Sequence, residues 1–171
     1  VTLADIIADN GVVHVIDVVL IPSTAITVFD IIAGSEDHNT LETAIRAAEL
    51  VTFLSDEEEE FTVFAPTDAA FAALPAGTIE ALLANKEALT SVLAYHAAFE
   101  IYDSELIGLL ETGYLQMIND KTTTFNVTPD GVFINNAKVT VVDLFADNGV
   151  VHVIDAVLLA PDSTVVDVVR N

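Results

Sequence analysis

The sequence has no cysteine and no tryptophan, a single methionine, and only five lysines and arginines in 171 residues. Without cysteine there are no disulfides, no thiol nucleophiles and no thiolate zinc sites. That leaves the compartment open, because a secreted domain can dispense with disulfides. The shortage of cations excludes a nucleic-acid partner, since phosphate binding draws its affinity from Lys and Arg displacing counterions. An anionic membrane surface is excluded on the same ground. No apolar run approaches the roughly 18 to 20 residues that cross a bilayer as a helix. The chain starts at Val1, not Met, and shows no basic leader, which reads as a mature or excised piece of something longer.

Acid and apolar residues are both plentiful. Twenty-seven Asp and Glu give a formal charge of −22, a balance that resembles salt adaptation, while 53% of the residues are hydrophobic. High charge alone would favour disorder, but this apolar content is ample for a core. At this length one domain with attached fragments is expected.

An internal repeat organises the chain. Residues 2–20 read TLADIIADNGVVHVIDVVL and residues 140–158 read TVVDLFADNGVVHVIDAVL, an offset of 138 with fourteen of nineteen positions identical. After the second copy, Asp167-Val168-Val169 echoes Asp30-Ile31-Ile32 after the first. The expected division is 1–22 as the last strands of a preceding repeat, 25–161 as one complete domain, and 162–171 as the start of a following repeat. The alternative is one domain with two similar hairpins.

Within 25–161, Asn39 followed by Glu42 has capping-box spacing, and Leu41, Ala44, Ile45 and Ala48 predict a helix over about 40–51. The acidic run 56–60 predicts a solvated loop. Phe61 to Ala65 reads as a strand ending at Pro66, and Thr67 as the cap of a helix over DAAFAAL. Residues 78 to about 98 read as one further helix. Pro129-Asp130-Gly131 predicts a hairpin turn between strands at 123–127 and 132–135. Strands follow at 138–143 and 150–159, separated by Asn148-Gly149. Helices come first and strands second, so the class is α+β.

Three blocks carry a family resemblance. Phe61-Thr-Val-Phe-Ala-Pro-Thr-Asp-Ala-Ala-Phe71 resembles the first signature block of fasciclin-like domains, Tyr95-His96 their central Tyr-His motif, and Asn148-Gly-Val-Val-His-Val-Ile-Asp-Ala-Val-Leu158 their second block. The resemblance covers residues 25 to 161, and 3–22 resemble the second block of a preceding copy. It implies a compact seven-stranded β-wedge or sandwich with helices packed around it, repeated in tandem on secreted or cell-surface proteins. It also implies a role in cell adhesion, through an extracellular matrix protein, a glycan, a cell-surface receptor or other copies of the same chain. Members that bind integrins are described through an Asp-Ile pair before the second block and through the Tyr-His region. The implied binding residues are therefore Asp5 and Ile6 in the partial copy, Asp143 and Leu144 in the complete domain, and Tyr95 and His96. The cysteine-free, acidic composition resembles a microbial member.

The polar motif residues also have a structural reading. In a strand, His152 and Asp155 point to opposite faces and form no dyad. Both faces are apolar, so the strand is expected in the middle of a sheet, with His152 and Asp155 as satisfied structural groups. Stepping about 100° per residue from Leu89 places His96 within the apolar stripe of its helix. A buried imidazole needs partners, and Thr67 and Asp68 are the expected ones. The sequence has no P-loop, GxGxxG, HExxH or nucleophile elbow, so no enzyme, cofactor or metal is expected. The leading reading is an adhesion module, and its rival a structural spacer. Residues 12–21, VVHVIDVVLI, form an apolar strand expected to mediate association between chains.

Overall fold

The computed structural model describes residues 25–160 and, as strands, residues 3–8 and 11–15. β1 (Leu3–Ala8) and β2 (Gly11–Val15) pair antiparallel in a two-stranded sheet. The rest begins with helices: α1 (Val28–Ala33), α2 (Asn39–Ala47) and α3 (Val51–Leu54). Then come β3 (Phe61–Pro66), α4 (Asp68–Ala72), α5 (Thr78–Ala84), α6 (Lys86–Ala94), β4 (Ala97–Phe99) and α7 (Ser104–Leu110). The chain closes with strands: β5 (Thr112–Gln116), β6 (Thr122–Thr128), β7 (Gly131–Ile134), β8 (Ala137–Ala146) and β9 (Gly149–Ile154).

Seven strands form one sheet in the order β4-β3-β9-β8-β7-β6-β5. β3 and β9 are parallel and the other pairs antiparallel, so the expected α+β class and seven-stranded sheet are found. β9 lies inside the sheet, and all six of its residues are buried, as are all six of β3. The alternation of side chains explains this. From β3, Phe61, Val63 and Ala65 enter a core shared with α1–α6, while Phe64 enters a second core with Leu115, Phe125, Ile134 and Val139 from β5–β8. A strand that feeds two cores has no polar face to spare, which is why these segments read as continuous apolar runs.

The polar turn signals act as their chemistry requires. Thr67 caps α4 by accepting from the Ala70 N–H at 3.3 Å. Pro129-Asp130 is the two-residue loop that pairs Thr128 with Gly131, whose φ is 133°. Residues 56–60 are exposed, as expected of a solvated loop.

Several boundaries differ from the sequence reading. The helix expected over 40–51 stops at Ala47, because Glu49 adopts φ 61° and the Leu50 N–H turns back onto Ile45 O. Its cap position is His38, not Asn39. The helix expected over 78–98 is two helices and a strand. Asn85 is extended and accepts from the Ala88 N–H at 3.2 Å, so it ends α5 and caps α6, and β4 starts at Ala97. The strand expected over 150–159 ends at Ile154, and Asp155 and Ala156 bend away. The strand expected over 138–143 continues to Ala146 through a bulge between Val141 and Leu144. The elements α1, α7, β4 and β5 have no counterpart in the sequence reading.

The repeat in sequence is a repeat in pairing. β8 and β9 match Val141 with Val153, Leu144 with Val151, Phe145 with Val150 and Ala146 with Gly149. β1 and β2 match Leu3 with Val15, Ile6 with Val13, Ile7 with Val12 and Ala8 with Gly11. Subtracting the sequence offset of 138 from the first set gives the second, register shift included.

Candidate functional site

Tyr95 and His96 form the tight turn between α6 and β4, just past the end of the helix on which the sequence reading places them. Both are buried, with 1% and 2% exposure. Tyr95 packs in the second core, where its hydroxyl donates to Thr122 O at 3.0 Å and accepts from Asn135 Nδ2 at 3.2 Å. His96 bonds Val92 O through Nδ1 at 2.7 Å, and its Nε2 accepts from the Leu158 N–H at 2.8 Å. This fixes the neutral Nδ1–H tautomer, and burial pushes the imidazole down to about 4. The ring ties α6 to the segment after β9.

Thr67 and Asp68 are not the partners of His96, which corrects the expectation above. Asp68 instead serves α2: its Oδ1 accepts from the Thr40 N–H at 2.7 Å and its Oδ2 from Asn39 Nδ2 at 3.2 Å. A carboxylate from another helix thus satisfies the first turn of α2, which the side chain of the cap residue His38 does not cap, its Nδ1 being bonded to Ser35 Oγ at 2.7 Å. These bonds outweigh desolvation and hold the Asp68 carboxyl below the usual range.

His152 and Asp155 are kept apart. The His152 Nε2–H donates to Tyr102 O at 2.8 Å, its Nδ1 accepts from the Asp143 N–H at 3.3 Å, and its ring stacks on Phe64 with centroids 5.7 Å apart. Burial lowers its pKa, opposed by the Tyr102 bond and by the charges of Asp143 and Asp103. Asp155 Oδ1 accepts from the Lys138 N–H at 2.8 Å, at the bend that ends β9.

Asp143 sits in the β8 bulge at φ 59°, and its carboxylate accepts from both the backbone N–H and the hydroxyl of Ser104 at the start of α7. Leu144 beside it packs against the first core. Asp5 and Ile6 lie in β1, whose side chains fall outside the described residues, as do residues 16–21 of the 12–21 segment and all of 162–171.

Asn148 reads from sequence only as part of a turn, yet it is a central clasp. At 1% exposure, its Oδ1 accepts from the Val28 N–H at 2.8 Å, and its Nδ2 donates to Leu54 O at 3.0 Å and Asp56 O at 2.9 Å. Next to it, Gly149 has φ 150°, and a Cβ there would overlap the carbonyl oxygen of Phe61. The Asn-Gly pair in both repeat copies was the available signal.

The candidate residues therefore do not converge on one cleft. Tyr95 and His96 hold one joint of the fold, Asp143 and His152 another, Thr67 and Asp68 a third. Beside Asp143, β8 carries Val141, Val142 and Phe145 at 44%, 41% and 61% exposure, three apolar side chains left open to solvent. Among the described residues no group of three His, Cys, Asp or Glu could hold a metal ion, and no helix is long and apolar enough to cross a membrane.

The family model of the fasciclin domain matches residues 36–160. Protein sll1483 of Synechocystis sp. is 43% identical over 140 residues, covering 81% of this chain and 76% of its own. Human periostin is 34% identical over 158 residues, which are 92% of this chain but 18% of periostin. Among solved structures, the FAS1 domain pair from the insect cell adhesion molecule Fasciclin I matches with a TM-score of 0.68 at 22% identity, over 92% of this chain and 58% of that one. That likeness is one of fold, and the family match adds the sequence relationship: the chain belongs to the fasciclin domain family.

Proposed function

We propose that this chain is an adhesion unit of a secreted or cell-surface protein, with residues 25–161 as a complete fasciclin domain that holds an extracellular protein, a glycan or a receptor through its surface. The observation that carries the reading is the exposure of three apolar side chains, Val141, Val142 and Phe145, on β8. The corresponding residues of the first copy, Leu3, Ala4 and Ile7, are also apolar. Apolar character that both copies of the sequence keep at positions exposed in the complete domain fits a surface that is covered when the protein works. The motif residues Tyr95, His96, Asp143 and His152 spend their polar atoms inside the domain, so their part in adhesion is to shape this surface. The insect protein of the same fold is a cell adhesion molecule, which supports the same assignment.

The test is retention of whole cells and of matrix- or glycan-coated beads by the immobilised chain, compared with Val142→Ser/Phe145→Ser. Both side chains are exposed, so the variant keeps its fold and loses retention. Equal retention by both proteins overturns the reading.

A second reading has its own support. Residues 1–22 belong to a preceding repeat, and 162–171 open the next, which makes this chain a segment of a tandem spacer. The matching registers of β1–β2 and β8–β9 favour this. In the complete domain that hairpin is finished by β3, so the 12–21 strand is expected to seek a β3-like edge in another chain. Light scattering of the chain with and without residues 1–22 tests it: association that disappears on deletion supports the reading, and two equally monomeric proteins refute it.

A further inference from the structure

The helical side of the sheet is incompletely filled. A cavity of about 230 Å³ lies between α2, α3 and α6 and the strands β3 and β4. Leu41, Ile45, Phe53, Val63, Leu93 and Ile118 contribute its apolar wall. Two side chains of the lining carry polar atoms, His96 and Thr90. Both nitrogens of His96 are already engaged, by Val92 O and the Leu158 N–H, so the ring offers the cavity only carbon. Thr90 is half-buried, and the wall as a whole is almost entirely apolar. Phe53, 36% exposed, and half-buried Leu50 lie where the cavity meets solvent.

Protein interiors are packed like organic crystals, and voids larger than a water are few. Water gains little from this one, because an enclosed water needs two to four polar partners. An apolar cavity of about 150 Å³ admits benzene, so this one takes a larger molecule, a bicyclic hydrocarbon or a medium-length alkyl chain. The surroundings decide the head group. The acidic run 56–60 begins two residues after Leu54, which lines the cavity, and the chain carries a charge of −22. Lys86, one turn from Thr90 on α6, is held by Glu49 at 2.6 Å. Among the described residues an anionic head finds no free cation at the mouth and meets repulsion instead.

We propose that this cavity binds an uncharged apolar small molecule with an alkyl or bicyclic hydrocarbon skeleton. The site lies on the helical side, and the β8 side chains of the adhesion reading are not part of its lining, so each proposal stands or falls without the other.

The experiment titrates 1-octanol, octanoate and naphthalene into protein with labelled methyl groups, at neutral pH. Octanol and naphthalene shift the methyl signals of Leu41, Ile45, Leu93 and Ile118 saturably, and octanoate does so far more weakly. Ala94→Leu, which fills the cavity from α6, loses both ligands. The proposal is overturned if neither neutral probe gives saturable shifts, if octanoate binds as well as octanol, or if a folded Ala94→Leu retains binding. Should that variant fail to fold, octanol or naphthalene shifts in the parent that do not centre on the methyl groups of Leu41, Ile45, Leu93 and Ile118 overturn the proposal.

Discussion

Replacing His96 with Ala isolates one latch whose contribution is calculable. The Val92 carbonyl keeps a second donor, the Tyr95 N–H at 3.1 Å, but the buried Leu158 N–H loses its acceptor. An unpaired buried donor costs about 1–3 kcal/mol. Loss of the ring itself adds a transfer and cavity cost, kept toward the low end of the roughly 3–5 kcal/mol seen for aromatic-to-Ala changes, because the site already borders a cavity. A total of about 4–6 kcal/mol at pH 7.5 follows.

The pH dependence gives a sharper test. In the folded state the ring is held neutral, with its pKa lowered from 6.5 to about 4. As pH falls through 6.5 the unfolded chain takes up this proton first, so the parent protein loses stability between pH 6.5 and about 4. One pKa unit corresponds to about 1.4 kcal/mol, so the loss over that window is roughly 3 kcal/mol. His96→Ala lacks this loss, while the many carboxylates titrate alike in both proteins. Urea denaturation at pH 7.5, 5.5 and 4.5 should therefore show the gap between parent and variant closing as pH falls. A gap that is constant with pH, or below about 1 kcal/mol at pH 7.5, would refute the latch.

Asn148→Ala removes one acceptor and two donors from a buried clasp and should cost about 2–4 kcal/mol; hydrogen exchange should show the Val28 amide losing protection first. Gly149→Ala forces a side chain into φ 150° and against the Phe61 carbonyl, so the parallel β3–β9 pairing must shift; thermal denaturation should register more than about 3 kcal/mol, or no folded protein. Rewriting β8 in the image of the first copy, with Val141→Leu, Val142→Ala, Leu144→Ile and Phe145→Ile, should change stability by less than about 1.5 kcal/mol, because three of the sites are exposed and the fourth is a swap of equal volume. A larger loss in denaturant titration would mean that β8 is packed more tightly than its exposure indicates.

What could be read from the chain follows from which interactions are local. The β3 and β9 runs, the Thr67 cap and the Pro129-Asp130 turn declare themselves within a few residues, and each was legible. The α5–α6 break was not, because Asn85 interrupts an apolar period that otherwise continues to Ala98, and one polar residue in such a pattern looks like a surface position. β4 and β5 were missed for another reason. β4 has three residues, and β5 reads Thr-Gly-Tyr-Leu-Gln, of which only Leu115 is buried, so neither edge strand carries a clear period of two. The partners of His96 and Asp68 were beyond reach, since both bonds join segments that only the tertiary fold brings together. The His96 imidazole meets a backbone N–H 62 residues away, and Asp68 meets one 28 residues away. A sequence motif can mark a buried polar group without saying what satisfies it.

The repeat supplies information that a single copy could not. The five positions that differ between residues 2–20 and 140–158 fall, in the second copy, at Val141, Val142, Leu144, Phe145 and Ala156, and each of these is exposed or only partly buried. The unchanged positions include all the groups that the fold commits: Asp143 in the bulge with Ser104, Asn148 across three segments, Gly149 against Phe61, His152 against Tyr102, Asp155 at the bend, and the buried Val150, Val151, Val153 and Ile154. Two constraints are thereby separated. Identity follows hydrogen bonding, backbone strain and complete burial, which tolerate no exchange. At the four differing positions on β8 the residue changes but stays apolar, although three of the four face solvent in the isolated domain. At the three exposed positions core packing does not require that, and solubility opposes it, whereas Leu144 packs against the first core. A constraint on character without identity is what a covering surface imposes, since a contacting partner needs apolar area and adapts to its shape. The shared residues thus build the hairpin, and the variable ones are those that the proposed adhesion surface uses.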